Sequence, residues 1–104
     1  MDILGFKDSS LRSLISQLAE LLPPNSFVLV DNWEADPFAI GLAKPSDHKH
    51  LVYLTSDCDR QGRYFLSREL PARHDLEVFH DAGSDHFADV PSLAKAVAEH
   101  LCAA

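Results

Sequence analysis

The sequence predicts an α+β fold, with residues 1–104 forming a single domain. An apolar stripe at helical period lies near the start of the chain, and a second one lies at its end. Between them are short apolar segments, and the connections that separate them are too short to hold crossover helices. We therefore expect an N-terminal helix, an antiparallel meander sheet of four or five strands, and a C-terminal helix packed on the sheet.

Both helices are predicted by the spacing of their apolar residues and by residues typical of helix ends. In the first helix, leucine and isoleucine recur three and four residues apart from Leu11 to Leu22, which places them on one face. Asp8 or Ser9 can cap it, and the Pro23–Pro24 pair ends it. The second helix has a capping aspartate, an early proline and a regular apolar face, formed by Asp89, Pro91, Leu93, Val97 and Leu101.

The strands are predicted at residues 27–30, 38–43, 51–55, 63–67 and 76–79, where β-branched, aromatic and other apolar residues are concentrated. Large side chains alternate with small ones in the second of these segments. One face of that strand is therefore expected to fill the core, while the small residues allow a close approach from the other side. Polar turns are expected at 44–47 and 57–62.

The charge is acidic and unevenly distributed. The formal net charge is −7, and residues 1–43 hold six acids against two lysine or arginine residues. Residues 74–104 hold six acids against one lysine, whereas residues 44–73 are slightly basic. Such a charge repels phosphate backbones, so nucleic acid is not expected as the main partner. A basic protein partner would suit it.

Nothing in the sequence predicts export or a membrane anchor. The N-terminal MDILGFKDSS has an early acid and lacks a long apolar run, and no segment approaches the roughly 18 apolar residues of a spanning helix. The two cysteines, Cys58 and Cys102, are expected to be free thiols. We therefore expect a cytoplasmic protein that does not bind membranes.

The segment HDAGSDH, residues 80–86, is the first candidate site. His and Asp are good ligands for divalent metals, so His80, Asp81, Asp85 and His86 are the candidate ligands of a metal-binding protein or metal-dependent hydrolase. The two histidines, however, are six residues apart, and Gly83 and Ser84 between them are typical of turns. The composition favours a polar loop, and no metal or other cofactor is expected.

The second candidate site lies in residues 31–37, where the only tryptophan is surrounded by carboxylates. Asp31, Trp33, Glu34 and Asp36 combine an aromatic anchor with an acidic rim, as a protein-binding surface would. Asp81 and Asp85 form a second acidic cluster for the same partner. The alternative is that Trp33 folds back on the core while the acids are simply solvated.

In architecture and charge, the chain resembles the small acidic immunity proteins that bacteria make against toxins. The features that carry the resemblance are a small α+β domain, acidic ends, no catalytic motif and no export signal. It implies a non-enzymatic protein whose acidic loops occlude the basic active-site cleft of a toxin such as a nuclease. A homo-oligomeric structural module that pairs exposed sheet edges is a further alternative, and a monomer or a homodimer is compatible with the sequence.

Overall fold

The computed structural model describes residues 7–30, 35–56, 64–71 and 80–102. The elements follow in the order α1 (Ser9–Leu21), β1 (Val28–Val30), β2 (Ala39–Lys44), β3 (Asp47–Thr55), β4 (Tyr64–Leu70), β5 (His80–Phe87) and α2 (Val90–Leu101). The strands form one antiparallel sheet in the order β1-β2-β3-β4-β5. The predicted α+β meander between two helices is confirmed, and the sheet has five strands.

Both helices begin at a capping aspartate. The Asp8 carboxylate accepts a hydrogen bond from the Ser10 N–H at 2.9 Å, and the Asp89 carboxylate accepts one from the Ser92 N–H at 2.8 Å. Each bond satisfies an N–H group that has no partner within the helix. In the described part of the chain, neither helix is long and apolar enough to cross a membrane.

The core lies between one face of the sheet and the two helices. The apolar face of α1, centred on Leu14, and that of α2, centred on Leu93, join one cluster with residues of β2, β3 and β4. The sheet contributes alternate, fully buried residues to this cluster: Ile40, Leu42, Val52, Leu54 and Leu66. Because side chains alternate along each strand, the sheet has two faces. The helices cover the inner face, and the outer face is on the opposite side.

The predicted alternation of β2 is also confirmed. Ile40 and Leu42 point to the inner face, and Ala39, Gly41 and Ala43 lie on the outer face, where they too are buried. The predicted apolar stripe of α1 is buried at every position except Leu21. Leu21 is 52% exposed, while Leu22, which follows the helix, is buried. Leu22 is four residues beyond Leu18 and therefore continues the buried face past the end of the helix.

The main error of the sequence prediction concerns residues 80–86, which are not a turn. They form most of β5, which pairs with β4 from Leu70↔His80 to Tyr64↔Phe87. β4 itself extends to Leu70, three residues beyond its predicted end. The strand predicted at 76–79 lies outside the described residues.

A β-bulge explains how turn-forming residues fit in β5. The register shifts by one residue between Ser67↔Ser84 and Glu69↔Asp81, so β5 holds one residue more than β4 across this interval. Gly83 lies within the bulge at φ 105°, a conformation that favours glycine. The Asp81 carboxylate stabilises it by accepting a 2.8 Å hydrogen bond from the Gly83 N–H.

We expect Gly83→Ala to destabilise the fold by about 1 kcal/mol, because L-residues avoid this positive φ. A Cβ at this position would meet only the end of the Arg68 side chain at 4.0 Å, so the cost comes from the backbone conformation. Urea denaturation measures the change. The neighbouring substitution Ser84→Ala is the control and should be close to neutral, and equal stability of Gly83→Ala and wild type would contradict this role of Gly83.

Candidate protein-binding surface

Of the first predicted acidic cluster, only Asp36 lies in the described part of the chain. Asp31, Trp33 and Glu34 lie outside the described residues, so their predicted role stays a prediction. Asp36 is half-buried in the segment just before β2. Its carboxylate accepts a 2.9 Å hydrogen bond from the Phe38 N–H, and its backbone carbonyl accepts a 2.8 Å bond from Lys7 Nζ. Asp36 thus helps to hold the start of α1 beside β2.

The second predicted cluster is divided between the two faces of the sheet. Asp81 pairs with Glu69 on the outer face, whereas Asp85 pairs with Leu66, whose side chain is in the core on the inner face. Residues four apart in a regular strand share a face, so the extra residue of the bulge separates these two aspartates. They cannot act as one acidic patch.

Asp85 already has a partner within the chain. Its carboxylate accepts a hydrogen bond from Arg68 Nη1 at 2.9 Å, and the two form an ion pair. The Asp85 side chain is 59% exposed, so water screens much of this attraction. Nevertheless, the carboxylate that the sequence suggested for a partner is partly neutralised by Arg68.

The candidate metal ligands of β5 do not converge in the part that the structure describes. Asp85 faces the inner side with Arg68, while Asp81 and His86 belong to the outer face. Of His80, only the backbone position in β5 is described. No group of three His, Cys, Asp or Glu residues that could hold a metal is found among the described residues.

A row of three rings crosses the outer face from β3 to β5. Phe65 lies at its centre, with its ring centroid 6.1 Å from that of Tyr53 in an edge-on arrangement. On the other side, the His86 ring is 5.1 Å from Phe65 and tilted by 59°. Tyr53 and Phe65 are half-buried and His86 is exposed. We call these three residues the aromatic row.

Two carboxylates lie on the same face, further along β4 and β5. Glu69 and Asp81 are direct cross-strand partners, which we call the carboxylate pair. Partial burial raises the pKa of Glu69, and the negative charge of Asp81 raises it further. Neither carboxylate forms an ion pair with a cation of the described residues. Like charges in directly opposed positions destabilise a sheet.

Ser67 and Ser84 form the cross-strand pair between the aromatic row and the carboxylate pair. Glu69 is four residues from Phe65, so the two groups are about 13 Å apart along β4 at ~3.3 Å per residue. Arg68, the only arginine or lysine in β4 and β5, points to the opposite face. The outer surface of β4 and β5 therefore has an aromatic end and an acidic end.

At the border of this surface, the pKa of Tyr53 is raised, first by partial burial of the ring and then by the negative charge of Asp36. Asp36 thus adds negative potential at the aromatic end, although its carboxylate also accepts the hydrogen bond from the Phe38 N–H. Tyr53, Phe65 and Glu69 were not among the predicted site residues. The alternation of residues 63–67 does predict that Phe65 and Leu66 point to opposite faces of the sheet. It cannot show which strands lie beside Phe65.

No protein-family model, curated protein or solved structure matches the chain. The function is therefore inferred from the geometry and chemistry of this surface.

The carboxylate pair should reduce stability at neutral pH. The folded-state pKa of Glu69 is raised, so its contribution to stability is fully present below the unfolded-state pKa and is lost as the pH rises through the folded value. Glu69→Gln should therefore be more stable than wild type at neutral pH, by up to about 1 kcal/mol. This advantage should shrink in acid.

Urea denaturation from about pH 3.5 to about pH 7 measures this difference. Glu20→Gln, which removes an exposed acid from α1, is the control and should change the pH profile much less. A Glu69→Gln variant that is less stable than wild type at neutral pH would show that the carboxylate is structurally favourable.

Proposed function

We propose that the protein is a non-enzymatic binding module that holds a basic protein partner on the outer surface of β4 and β5. The carboxylate pair carries the proposal. Glu69 and Asp81 are opposed like charges, and neither forms an ion pair with a cation of the described residues. A lysine or arginine from a partner would relieve this repulsion, so part of the instability of the free protein would become favourable binding energy.

The aromatic row supplies the second type of contact that a basic partner can use. Arginine side chains stack on aromatic rings and donate hydrogen bonds to carboxylates, and they do both in many protein interfaces. The serine pair between the two ends offers hydroxyl groups to the same partner. The net charge of −7 adds a long-range attraction that speeds the encounter.

Within this class, we propose an immunity protein that occludes the basic active-site cleft of a toxin such as a nuclease. The support is the combination of an acidic small α+β domain with an acidic and aromatic surface on the outer face of β4 and β5. Inhibition by occlusion needs only tight binding, with no chemistry on the part of the inhibitor. A cytoplasmic location belongs to the same proposal, because the toxin must be neutralised before it reaches its substrate in the cell.

The proposal is tested by using wild type and two charge-matched variants as bait in extracts of the native cell. Glu69→Gln/Asp81→Asn removes the carboxylate pair, and Glu20→Gln/Glu99→Gln removes two exposed acids from the helices. We expect wild type and the helix variant to retain a stoichiometric basic chain that elutes between about 50 mM and about 500 mM salt. The first variant should bind that chain at least about tenfold more weakly, equivalent to about 1.4 kcal/mol.

Circular dichroism of all three proteins controls for folding. Two results would count against the proposal. One is the absence of any stoichiometric basic chain at low salt, and the other is an equal loss of binding in both variants. Equal loss would indicate that net charge matters and that the outer surface of β4 and β5 does not.

A further inference from the structure

Two buried histidines, fifty residues apart in the sequence, connect the last turn of α2 to the sheet. His50 of β3 and His100 of α2 are each 9% exposed, and their ring centroids are 4.6 Å apart. The His50 Nε2 atom lies 2.6 Å from the His100 carbonyl oxygen, and the His100 Nε2 atom lies 3.0 Å from the Glu69 carbonyl oxygen. A chain of two hydrogen bonds thus runs from β3 through α2 to β4.

The acceptors determine which nitrogen of each ring carries the proton. A carbonyl oxygen only accepts, so both Nε2 atoms must be donors, and any proton added to either ring goes to Nδ1. The His100 carbonyl is in the last turn of α2, where carbonyl groups lack acceptor bonds within the helix. His50 therefore acts as a side-chain cap for the end of α2.

The surroundings of His100 oppose its protonation. The pKa of His100 is lowered, mainly by burial, and the positive charges of His50 and Arg68 lower it further. Hydrogen bonds to the backbone at Glu69 and Leu51 act in the opposite direction. A proton on His100 would therefore place a positive charge in a partly dry site.

The other titratable or charged groups on the elements packed around the pair are farther along their strands or already engaged. His48 and Lys49 of β3 are exposed, as are Lys95 and Glu99 of α2. Asp85 of β5 is bound to Arg68, and the Glu69 carboxylate belongs to the outer face. Among these groups, Arg68 acts on His100 and lowers its pKa.

We propose that His50 and His100 form a pH-sensitive latch that releases the last turn of α2 from β3 and β4 when the His100 ring is protonated. The latch is closed above pH 6.5, the usual pKa of histidine, because His100 is then neutral. Since the folded-state pKa of His100 is lowered, the stabilisation is lost as the pH falls below 6.5. Opening would free the apolar face of α2 near Leu101.

Amide hydrogen exchange at about pH 7.5 and about pH 5.5, corrected for intrinsic rates, tests the latch. On going from about pH 7.5 to about pH 5.5, we expect protection at residues 98–102 to fall about tenfold more than protection at residues 14–18 of α1. Tenfold is the factor for uptake of one extra proton on opening, over the one pH unit between the usual histidine pKa of 6.5 and about pH 5.5. His100→Gln keeps an amide N–H that can donate to the Glu69 carbonyl but cannot take up a proton. In this variant, the ratio of the two protections should not change with pH.

His48→Gln is the matched control, since it removes an exposed histidine two residues from His50 and should keep the wild-type pH response. His50→Gln provides a second test if His100→Gln does not fold. Equal changes in α1 and α2 would indicate global destabilisation and would overturn the latch. So would a constant ratio in wild type, or a wild-type pH response in both glutamine variants. None of these outcomes depends on the proposed partner.

Discussion

The rest of the structure depends on the packing of two helices on one face of a five-stranded sheet. Leu14 of α1 and Leu93 of α2 meet the sheet residues Ile40, Val52 and Leu66 in one apolar cluster. Because strand side chains alternate, burying these residues sends their neighbours to the opposite face. Tyr53, Phe65 and Glu69 are therefore on the outer face as a direct consequence of how the core is built.

One exception to that alternation determines where the charges of β5 lie. The bulge at Gly83 adds a residue to β5, so Asp81 joins Glu69 on the outer face and Asp85 joins Arg68 on the inner face. Without the bulge, Asp81 and Asp85 would lie on the same side of the sheet. The opposed Glu69 and Asp81 carboxylates that carry the proposed function thus exist because of one glycine with a positive φ.

Local patterns were sufficient to predict much of the fold. The helical period, the aspartates before each helix and the proline pair after α1 all act within a few residues, and α1 and α2 form where they predict. The sequence predicts a turn where β5 lies, because Gly83 and Ser84 are turn formers in most contexts. Here, pairing with β4 and the Asp81 hydrogen bond accommodate them in a strand. Long-range pairing overrides local preference at this point.

The candidate site was harder to predict, because its members come together only through strand register. Asp81 could be singled out from composition, but its partner Glu69 is twelve residues away across β4 and β5. The same holds for His50 and His100, which no spacing rule connects. The sequence predicts Asp85 on a partner surface, because it does not reveal that Arg68 binds this carboxylate.

The central claim is that the outer surface of β4 and β5 is the binding face for a basic chain. Amide chemical-shift mapping of the labelled protein during titration with a short arginine-rich peptide tests it most directly. We expect shifts concentrated at Phe65, Ser67, Glu69, Asp81 and His86, saturating and weakening with added salt. Shifts confined to α1 and α2, or spread evenly over all acidic residues, would contradict it.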